Sequence, residues 1–252
     1  MKIYTYYQDI GFDHQQELLD LWQESWRRQN FDPIILGIED AKKCPIYQTY
    51  YDFVQRIHEN AVGKPLEKDN YCLAAQLEIA AFTTIDKDEP CYISDYDVIN
   101  KNFKDISSEG KLHWRNAACS CFASSSGSAW RKYLDFLLTQ EDEITNWCVK
   151  EKEKTDRNEY HDQDFLVAIR DKGLEENIYE MSRQDYLCQM YIPHSEGECH
   201  RQLYHVSHGN VEKFLDCYKE CAKILNVESD SVDYEATEKI RLSLVKSILN
   251  MN

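Results

Sequence analysis

Glycine, proline and long apolar runs are scarce in this sequence. Its 252 residues include 8 Gly and 5 Pro, so little of the chain suits a long flexible linker, and one compact domain is favoured over two. No uncharged apolar run reaches the length of about 18 residues that a membrane helix needs. The N-terminus lacks the apolar segment and the cleavage site of a signal peptide. We therefore expect a cytoplasmic chain with no membrane span.

Basic residues are outnumbered by acidic residues. The chain has 29 Lys and Arg against 45 Asp and Glu, which gives a net charge of −16. Proteins that grip a phosphate backbone usually present a basic face, so nucleic acid is not expected as the main partner. A small anion bound through a metal ion remains compatible with this charge.

Several common signatures are missing. The chain has no phosphate-binding G-x-x-x-x-G-K-[ST] loop and no nucleophile elbow with flanking glycines, which argues against a P-loop kinase and a serine hydrolase. It has 10 Cys but no C-x₂-C pair, so neither a zinc site nor a disulfide framework is indicated. We expect the cysteines to be reduced core residues.

Strand-like and helix-like segments alternate along the first half of the chain. Short runs rich in β-branched and aromatic residues predict strands at 2–7, 32–37, 91–94 and 117–123. Apolar residues spaced three and four apart predict helices at 13–30, 71–84 and from Ser128, the candidate N-cap. This alternation predicts an α/β fold with a mostly parallel central sheet flanked by helices, in which the run at 32–37 is a buried strand.

The second half of the chain contains three further predicted helices. Residues 141–164 are densely charged and predict a surface helix followed by a loop, and residues 211–225 carry a helical apolar stripe. Residues 231–252 predict an amphipathic helix with Ile240, Leu244 and Ile248 on one line. We expect this helix to pack on the main domain, residues 1–230, or on a second subunit, so a homo-oligomer is possible.

Two carboxylates follow the strand predicted at 91–94. Residues i and i+2 of a strand point to the same side, so Asp95 and Asp97 are expected to face one point at the carboxyl edge of the sheet, where α/β proteins bind ligands. Two such charges repel each other unless a cation lies between them, and Mg²⁺ or Mn²⁺ is the natural occupant. The alternative is a solvated turn, since Asp-x-Asp also arises by chance in an acidic chain.

The order of these landmarks resembles that of glycosyltransferases with the GT-A fold, which use nucleotide sugars and carry a DxD motif. The resemblance runs from Lys2 to about Lys213. Its landmarks are the strand at 2–7, the strand end at Ile38–Ala41, the alanine-rich helix from Leu73, the segment Cys91–Asn100, the polar segments Ala123–Ser128 and His161–Leu166, and the late histidine segment Leu203–Gly209.

The resemblance implies a single GT-A-like, Rossmann-like domain. Its activity would be metal-dependent transfer of a sugar from a nucleoside diphosphate sugar to a hydroxyl of a glycan or similar acceptor. UDP is the commoner nucleotide, and GDP stays open. Asp97 would bind Mn²⁺ or Mg²⁺ directly, and Asp95 would reach the metal through water or hold the sugar or ribose. His205 or His208 would complete the metal site.

The resemblance also implies a base and ribose site at the end of the first strand. Thr5, Tyr6 and Tyr7 would line it together with Asp40, with Tyr7 stacked on uracil and Asp40 accepting from the base or a ribose hydroxyl.

On the acceptor side, Asp162 is the candidate general base for an inverting transfer. The alternative is that Asp162 and Asp164 cap the helix that follows them. Trp114 and Tyr160 are candidate stacking platforms for a sugar ring.

One departure from the family concerns the helix before the DxD motif. Relatives often carry a basic residue there that faces the donor, whereas this chain offers only Gln76 and Glu78. Two alternative functions remain: a nucleotide-sugar-binding module without transfer activity, and a glycosyltransferase that acts on a modified DNA base. The donor sugar, the acceptor and the stereochemical outcome are open at this point.

Overall fold

The structure is a computed structural model. It describes residues 1–11, 14–87, 89–103, 112–116, 119–170, 179–181, 187–189, 203–205, 242–243, 245–246 and 249–251. For residues 112–116, 119–122, 124 and 170, and for the three short segments between 179 and 205, the description covers the backbone alone.

The first half of the chain alternates strands and helices as predicted. Its elements are β1 (Lys2–Tyr6), α1 (Gln15–Arg27), β2 (Asp32–Leu36), α2 (Ile38–Ala41), α3 (Tyr47–Val62), α4 (Tyr71–Phe82) and β3 (Cys91–Ser94). The later elements are β4 (Val98–Asn100), β5 (Leu112–Asn116), β6 (Cys119–Ser125), α5 (Gly127–Leu138), α6 (Glu141–Thr155), α7 (Asp162–Arg170), β7 (Tyr179–Met181), β8 (Leu187–Gln189) and β9 (Leu203–His205).

Six strands form the central sheet in the order β2-β1-β3-β6-β5-β7. Strand β1 runs parallel to both β2 and β3, and β5 runs parallel to β7, while β6 is antiparallel to its neighbours β3 and β5. A second sheet has the order β4-β9-β8. The predicted α/β fold with a mostly parallel sheet is confirmed.

Helices cover both faces of the central sheet. Along β1, Tyr4 and Tyr6 point to the face covered by α3, α4 and α5, and Ile3 points to the opposite face, where it packs against α1. This alternation follows from the two-residue period of a strand, and it places a separate apolar core on each side of the sheet.

Two local expectations were wrong. The strand at 32–37 is not buried: β2 is an edge strand that pairs only with β1 among the described strands, and Ile35 is 36% exposed. The N-cap of α5 is Ser126, whose Oγ accepts from the backbone N–H of Ala129 at 3.4 Å. Because α5 begins at Gly127, Ser128 lies within the helix and cannot be its N-cap.

The four cysteines whose side chains are described, Cys44, Cys72, Cys91 and Cys148, are buried and reduced, as expected. None of the helices in the described parts of the chain is long and apolar enough to cross a bilayer.

The described residues near the C-terminus pack on α1. Leu242, Val245 and Leu249 are buried in the same core as the apolar face of α1, and Lys246 Nζ donates to Glu17 Oε1 at 2.7 Å. The stripe predicted through residues 240, 244 and 248 and the helix predicted at 211–225 lie outside the described residues. The division of the chain at residue 230 stays a prediction.

Gly127→Ala should destabilise the protein, because the added Cβ would lie 2.0 Å from the backbone carbonyl oxygen of Ile85. We expect the free energy of unfolding, measured by urea denaturation, to fall by about 2 kcal/mol or more. Gly37→Ala is the matched control, since the nearest atom to its Cβ is the Tyr7 carbonyl oxygen at 3.4 Å. Equal losses in the two variants would contradict this packing.

Candidate active site

The carboxyl ends of β1, β2 and β3 share one edge of the sheet, because these three strands are parallel. The residue after β1 is Tyr7, whose backbone N–H donates to the Leu36 carbonyl at 2.8 Å. Its ring meets that of Tyr96 edge to face, with 5.7 Å between the centroids. The segment that follows β1 therefore touches the segment that follows β3, which is where the two acidic residues lie.

Asp95 and Asp97 lie in a tight turn. Strand β3 ends at Ser94, and the Val98 N–H donates to the Asp95 carbonyl at 3.0 Å, which closes the turn before β4 begins. The expectation that both acids point to the same side as members of a strand is therefore wrong in its premise, because neither residue belongs to a strand. Asp97 is 8% exposed.

Helix α1 holds both ends of this acidic turn. Trp22 Nε1 donates to Ser94 Oγ at 2.9 Å, and Trp26 Nε1 donates to the Val98 carbonyl at 3.2 Å. The two indoles are four residues apart, on one face of the helix, and both are fully buried. Sequence reasoning assigned the tryptophans to the apolar face only, and their hydrogen bonds to the acidic turn were missed.

Helix α4 has one stripe that is not fully buried. Every residue of α4 is buried except Tyr71, Ala75 and Glu78, which are spaced four and three apart and so share one face. Tyr71 is 52% exposed. Desolvation of its phenol, followed by the negative charges of Asp95, Asp162 and Asp97, raises its pKa well above 10. Both acids of the turn therefore act on the same phenol.

Glu78 is a carboxyl on this partly buried stripe of α4. Burial raises its pKa well above the usual 4.5, and the charges of Asp162 and Asp95 raise it further. The four acids Glu78, Asp95, Asp97 and Asp162, with Tyr71 at the rim, are called the acidic cleft below. Sequence reasoning had noted Glu78 only as a residue standing where relatives are often basic.

The two acids at the start of α7 have different roles. Asp164 forms two hydrogen bonds of 2.7 Å with Arg157 and accepts from the His161 backbone N–H at 2.9 Å, so it has the capping role that had been the alternative for both. Asp162 lies 3.4 Å from His161 Nδ1. Burial opposes a charge on His161, but the hydrogen bond and the charge of Asp162 outweigh it and raise the pKa of His161.

The residues expected around the base and ribose do not share one surface. Thr5 is fully buried within β1. Tyr6 is 7% exposed, and its hydroxyl donates to Gln8 Oε1 at 2.9 Å on the face of α4. Tyr7 points to the other face and is partly exposed at the edge of the sheet. Of the three, Tyr7 is therefore the one placed to meet a ligand at this edge.

Asp40 already has two partners in the protein. Its Oδ2 accepts from the Gly37 N–H at 2.9 Å, which caps α2, and its Oδ1 accepts from Lys43 Nζ at 2.7 Å. Burial favours the neutral acid, but the hydrogen bonds from Lys43 and Gly37 outweigh it and lower the pKa of Asp40. A ligand hydroxyl at Asp40 would compete with these bonds.

Strand pairing places the backbone of the late histidine segment beside the acidic turn. Strand β9 is antiparallel to β4, with His205 opposite Val98, one residue after Asp97. His208 and the side chain of Trp114 lie outside what the structure describes. Tyr160 is fully buried, so its suggested role as a stacking platform is wrong.

The donor atoms of the acidic cleft fit a hard cation in kind but not in number. They are carboxylate oxygens, which Mg²⁺ and Mn²⁺ prefer. Within the described ranges, no three His, Cys, Asp or Glu side chains lie close enough together to hold an ion. Further ligands would have to come from outside this set, for example from the segment at His205.

No protein-family model matches the chain, and no curated protein sequence matches it. Two solved structures of the galactosyltransferase LgtC, one with donor and acceptor sugar analogs and one an active-site mutant, are similar over 94% of this chain and 100% of theirs, with identities of 10% and 11% and TM-scores of 0.44 and 0.45. The glycosyltransferase GlyE of Streptococcus pneumoniae TIGR4 is 14% identical, covering 99% of this chain and 62% of its own, with a TM-score of 0.46. All three are distant likenesses.

Glu78→Gln should stabilise the protein at pH 7. A carboxyl with a raised pKa contributes stability below pH 4.5, its usual pKa, and loses that contribution as the pH rises through the raised value. Glutamine avoids this loss, so we expect a gain of about 1–3 kcal/mol at pH 7 that disappears near pH 4.5. Denaturation at both pH values measures it, with the exposed Glu153→Gln as the control. A gain that does not depend on pH would contradict the assignment.

Proposed function

We propose that the chain is a metal-dependent glycosyltransferase. It would move a sugar from a nucleoside diphosphate sugar, with a UDP-sugar as the favoured donor, to a hydroxyl of a glycan or similar acceptor. One observation carries the proposal: the turn with Asp95 and Asp97 lies at the carboxyl edge of the parallel strands, directly after β3, and Asp97 is buried there. Ligands of open α/β sheets bind at this edge.

The donor's base is assigned to the end of β1. Tyr7 is held there by its backbone bond to Leu36, and its ring stands edge to face with Tyr96. A uracil ring stacked on Tyr7 would place its diphosphate toward the acidic turn. Thr5 and Tyr6 support this position from inside the sheet, and Asp40 shapes it by capping α2.

The diphosphate and the acidic turn are both negative, so the proposal includes a cation between them. Asp97 would bind Mn²⁺ or Mg²⁺ directly and Asp95 through water or by holding the sugar or ribose, with His205 or His208 on the far side. The chemistry that such an ion supplies when bound is neutralisation of the charge that develops on the departing diphosphate.

Asp162 is proposed as the group that takes the proton from the acceptor hydroxyl. It lies at the first turn of α7, where one of its carboxylate oxygens is 3.4 Å from His161 Nδ1. Asp164 is unsuited to this role because Arg157 binds both of its oxygens. The separation of these two roles supports the choice of Asp162.

Metal-dependent release of UDP from UDP-sugars tests the activity. Purified protein with Mn²⁺ should release UDP slowly in the absence of an acceptor, and Asp97→Ala should reduce the rate at least 100-fold, on the order of the loss when a group that stabilises transition-state charge is removed. Asp135→Ala, at an exposed position of α5, is the matched control and should keep the wild-type rate. Full activity of Asp97→Ala would overturn the metal-site assignment.

Donor binding can be measured without turnover. Thermal unfolding with a panel of nucleotide sugars should show stabilisation by one donor only when Mn²⁺ or Mg²⁺ is present, because a ligand that binds only the folded state raises its stability. Asp97→Asn should lose this shift and Asp135→Asn should keep it. A metal-dependent shift in a protein that releases no UDP and transfers no sugar would favour the binding module instead.

A further inference from the structure

The segment 156–161, between α6 and α7, leads directly to Asp162 of the acidic cleft. It contains no helix or strand, and its last residue, His161, precedes Asp162 at the start of α7. The His161 ring lies 6.4 Å from that of Tyr71 at the rim of the cleft. The position of His161 and Asp162 therefore depends on what holds this segment in place.

Tyr160 is the anchor of the segment, and its side chain is fixed. It is fully buried, and its hydroxyl donates to the Cys148 carbonyl of α6 at 2.8 Å. The Arg157 guanidinium lies over its ring at 5.3 Å. At the preceding residue, Glu159 Oε1 accepts from Asn70 Nδ2, next to the start of α4, at 2.9 Å.

The backbone of Tyr160 is bound by one buried histidine of α3. His58 Nδ1 lies 2.9 Å from the Val54 carbonyl, so this nitrogen carries the hydrogen. In the neutral ring Nε2 is then an acceptor, and it receives the Tyr160 N–H at 3.2 Å. The Tyr160 carbonyl oxygen also lies close to Nε2, at 3.1 Å.

A proton on Nε2 would exchange these two partners. Doubly protonated histidine has two donors and no acceptor, so it would donate to the Tyr160 carbonyl and leave the Tyr160 N–H without its acceptor. We propose that His58 is a positioning residue for His161 and Asp162, which it holds through the Tyr160 backbone, and that protonation of His58 changes this hold. The link to catalysis rests on the role of Asp162 proposed above.

The groups around His58 keep the ring neutral near pH 7. Burial lowers its pKa below the usual 6.5, and the hydrogen bonds to Val54 and Tyr160 and the charges of Glu159 and Asp164 oppose this only in part. Arg157 is paired with Asp164. The nearby Cys148 thiol and Tyr160 phenol are neutral, because burial raises the pKa of both, that of Tyr160 to about 12.

Acidification should weaken the hold of His58 on the Tyr160 backbone. A histidine with a lowered pKa contributes stability above its usual pKa of 6.5, and this contribution is lost as the pH falls through the lowered value. The hold on Tyr160 should therefore be complete at pH 7.5 and should weaken on acidification below 6.5.

Residue-resolved hydrogen exchange of the Tyr160 amide tests this in the full chain. Corrected for intrinsic rates, its protection in the wild type should fall about fivefold or more between pH 7.5 and 5.5, as expected when one hydrogen bond is lost. His58→Gln, which has an acceptor that does not titrate, should keep the protection at both values. His58→Phe should lose it at both.

The wild type alone can overturn the proposal: equal protection of Tyr160 at the two pH values means that His58 does not switch. A His58→Gln variant that folds and still shows the wild-type pH dependence also overturns it. For the link to Asp162, kcat for UDP release should fall on acidification more in the wild type than in His58→Gln, with KM for the donor unchanged. If Tyr160 shows the expected exchange pattern but no UDP is released, the hold of His58 on Tyr160 is supported while the proposed function fails. The two failures can therefore be distinguished.

Discussion

The acidic turn at Asp95–Asp97 depends on two buried indole groups. Trp22 binds the residue before the turn and Trp26 binds the residue after it, both from one face of α1. A buried N–H without a partner is costly, so the indoles favour one position of the turn over others. Helix α1 also packs on the residues described near the C-terminus. Its apolar face shares one core with residues of the central sheet and of β4 in the second sheet. The second sheet, through β4 and β9, then places His205 next to the same turn.

Acidic side chains lie around the turn, and two basic side chains are paired with acids outside it. Arg157 is bound to Asp164, and Lys43 is bound to Asp40. Glu78 is partly buried, and desolvation together with the charges of Asp162 and Asp95 raises its pKa. An arrangement of this kind costs folding free energy, and a cation or a proton relieves the cost. That cost is the physical link between the stability of this protein and the function proposed for the acidic cleft.

The pattern of apolar residues predicted most elements of the first half because it reports directly on burial. It failed where burial depends on neighbours distant in sequence. The run Asp32–Leu36 is as apolar as a central strand, but only β1 pairs with it among the described strands, so it is an edge strand. Tyr160 has the composition of a sugar-stacking residue, yet its ring is buried against Trp147 and Arg157. Asp162 and Asp164 were equivalent by spacing, and Arg157 distinguishes them.

The sequence by itself determined the α/β class, the alternation of elements and the presence of an acidic pair after a buried strand, because these follow from periodicity and from residue type along a short stretch of chain. Only the tertiary structure decided that the pair lies in a turn held by tryptophans, that Glu78 and Asp162 approach it from two different helices, and that a histidine of α3 binds the segment leading to Asp162. These interactions join residues far apart in the sequence, 72 positions for Trp22 and Ser94 and 102 for His58 and Tyr160, and local pattern carries no information about them.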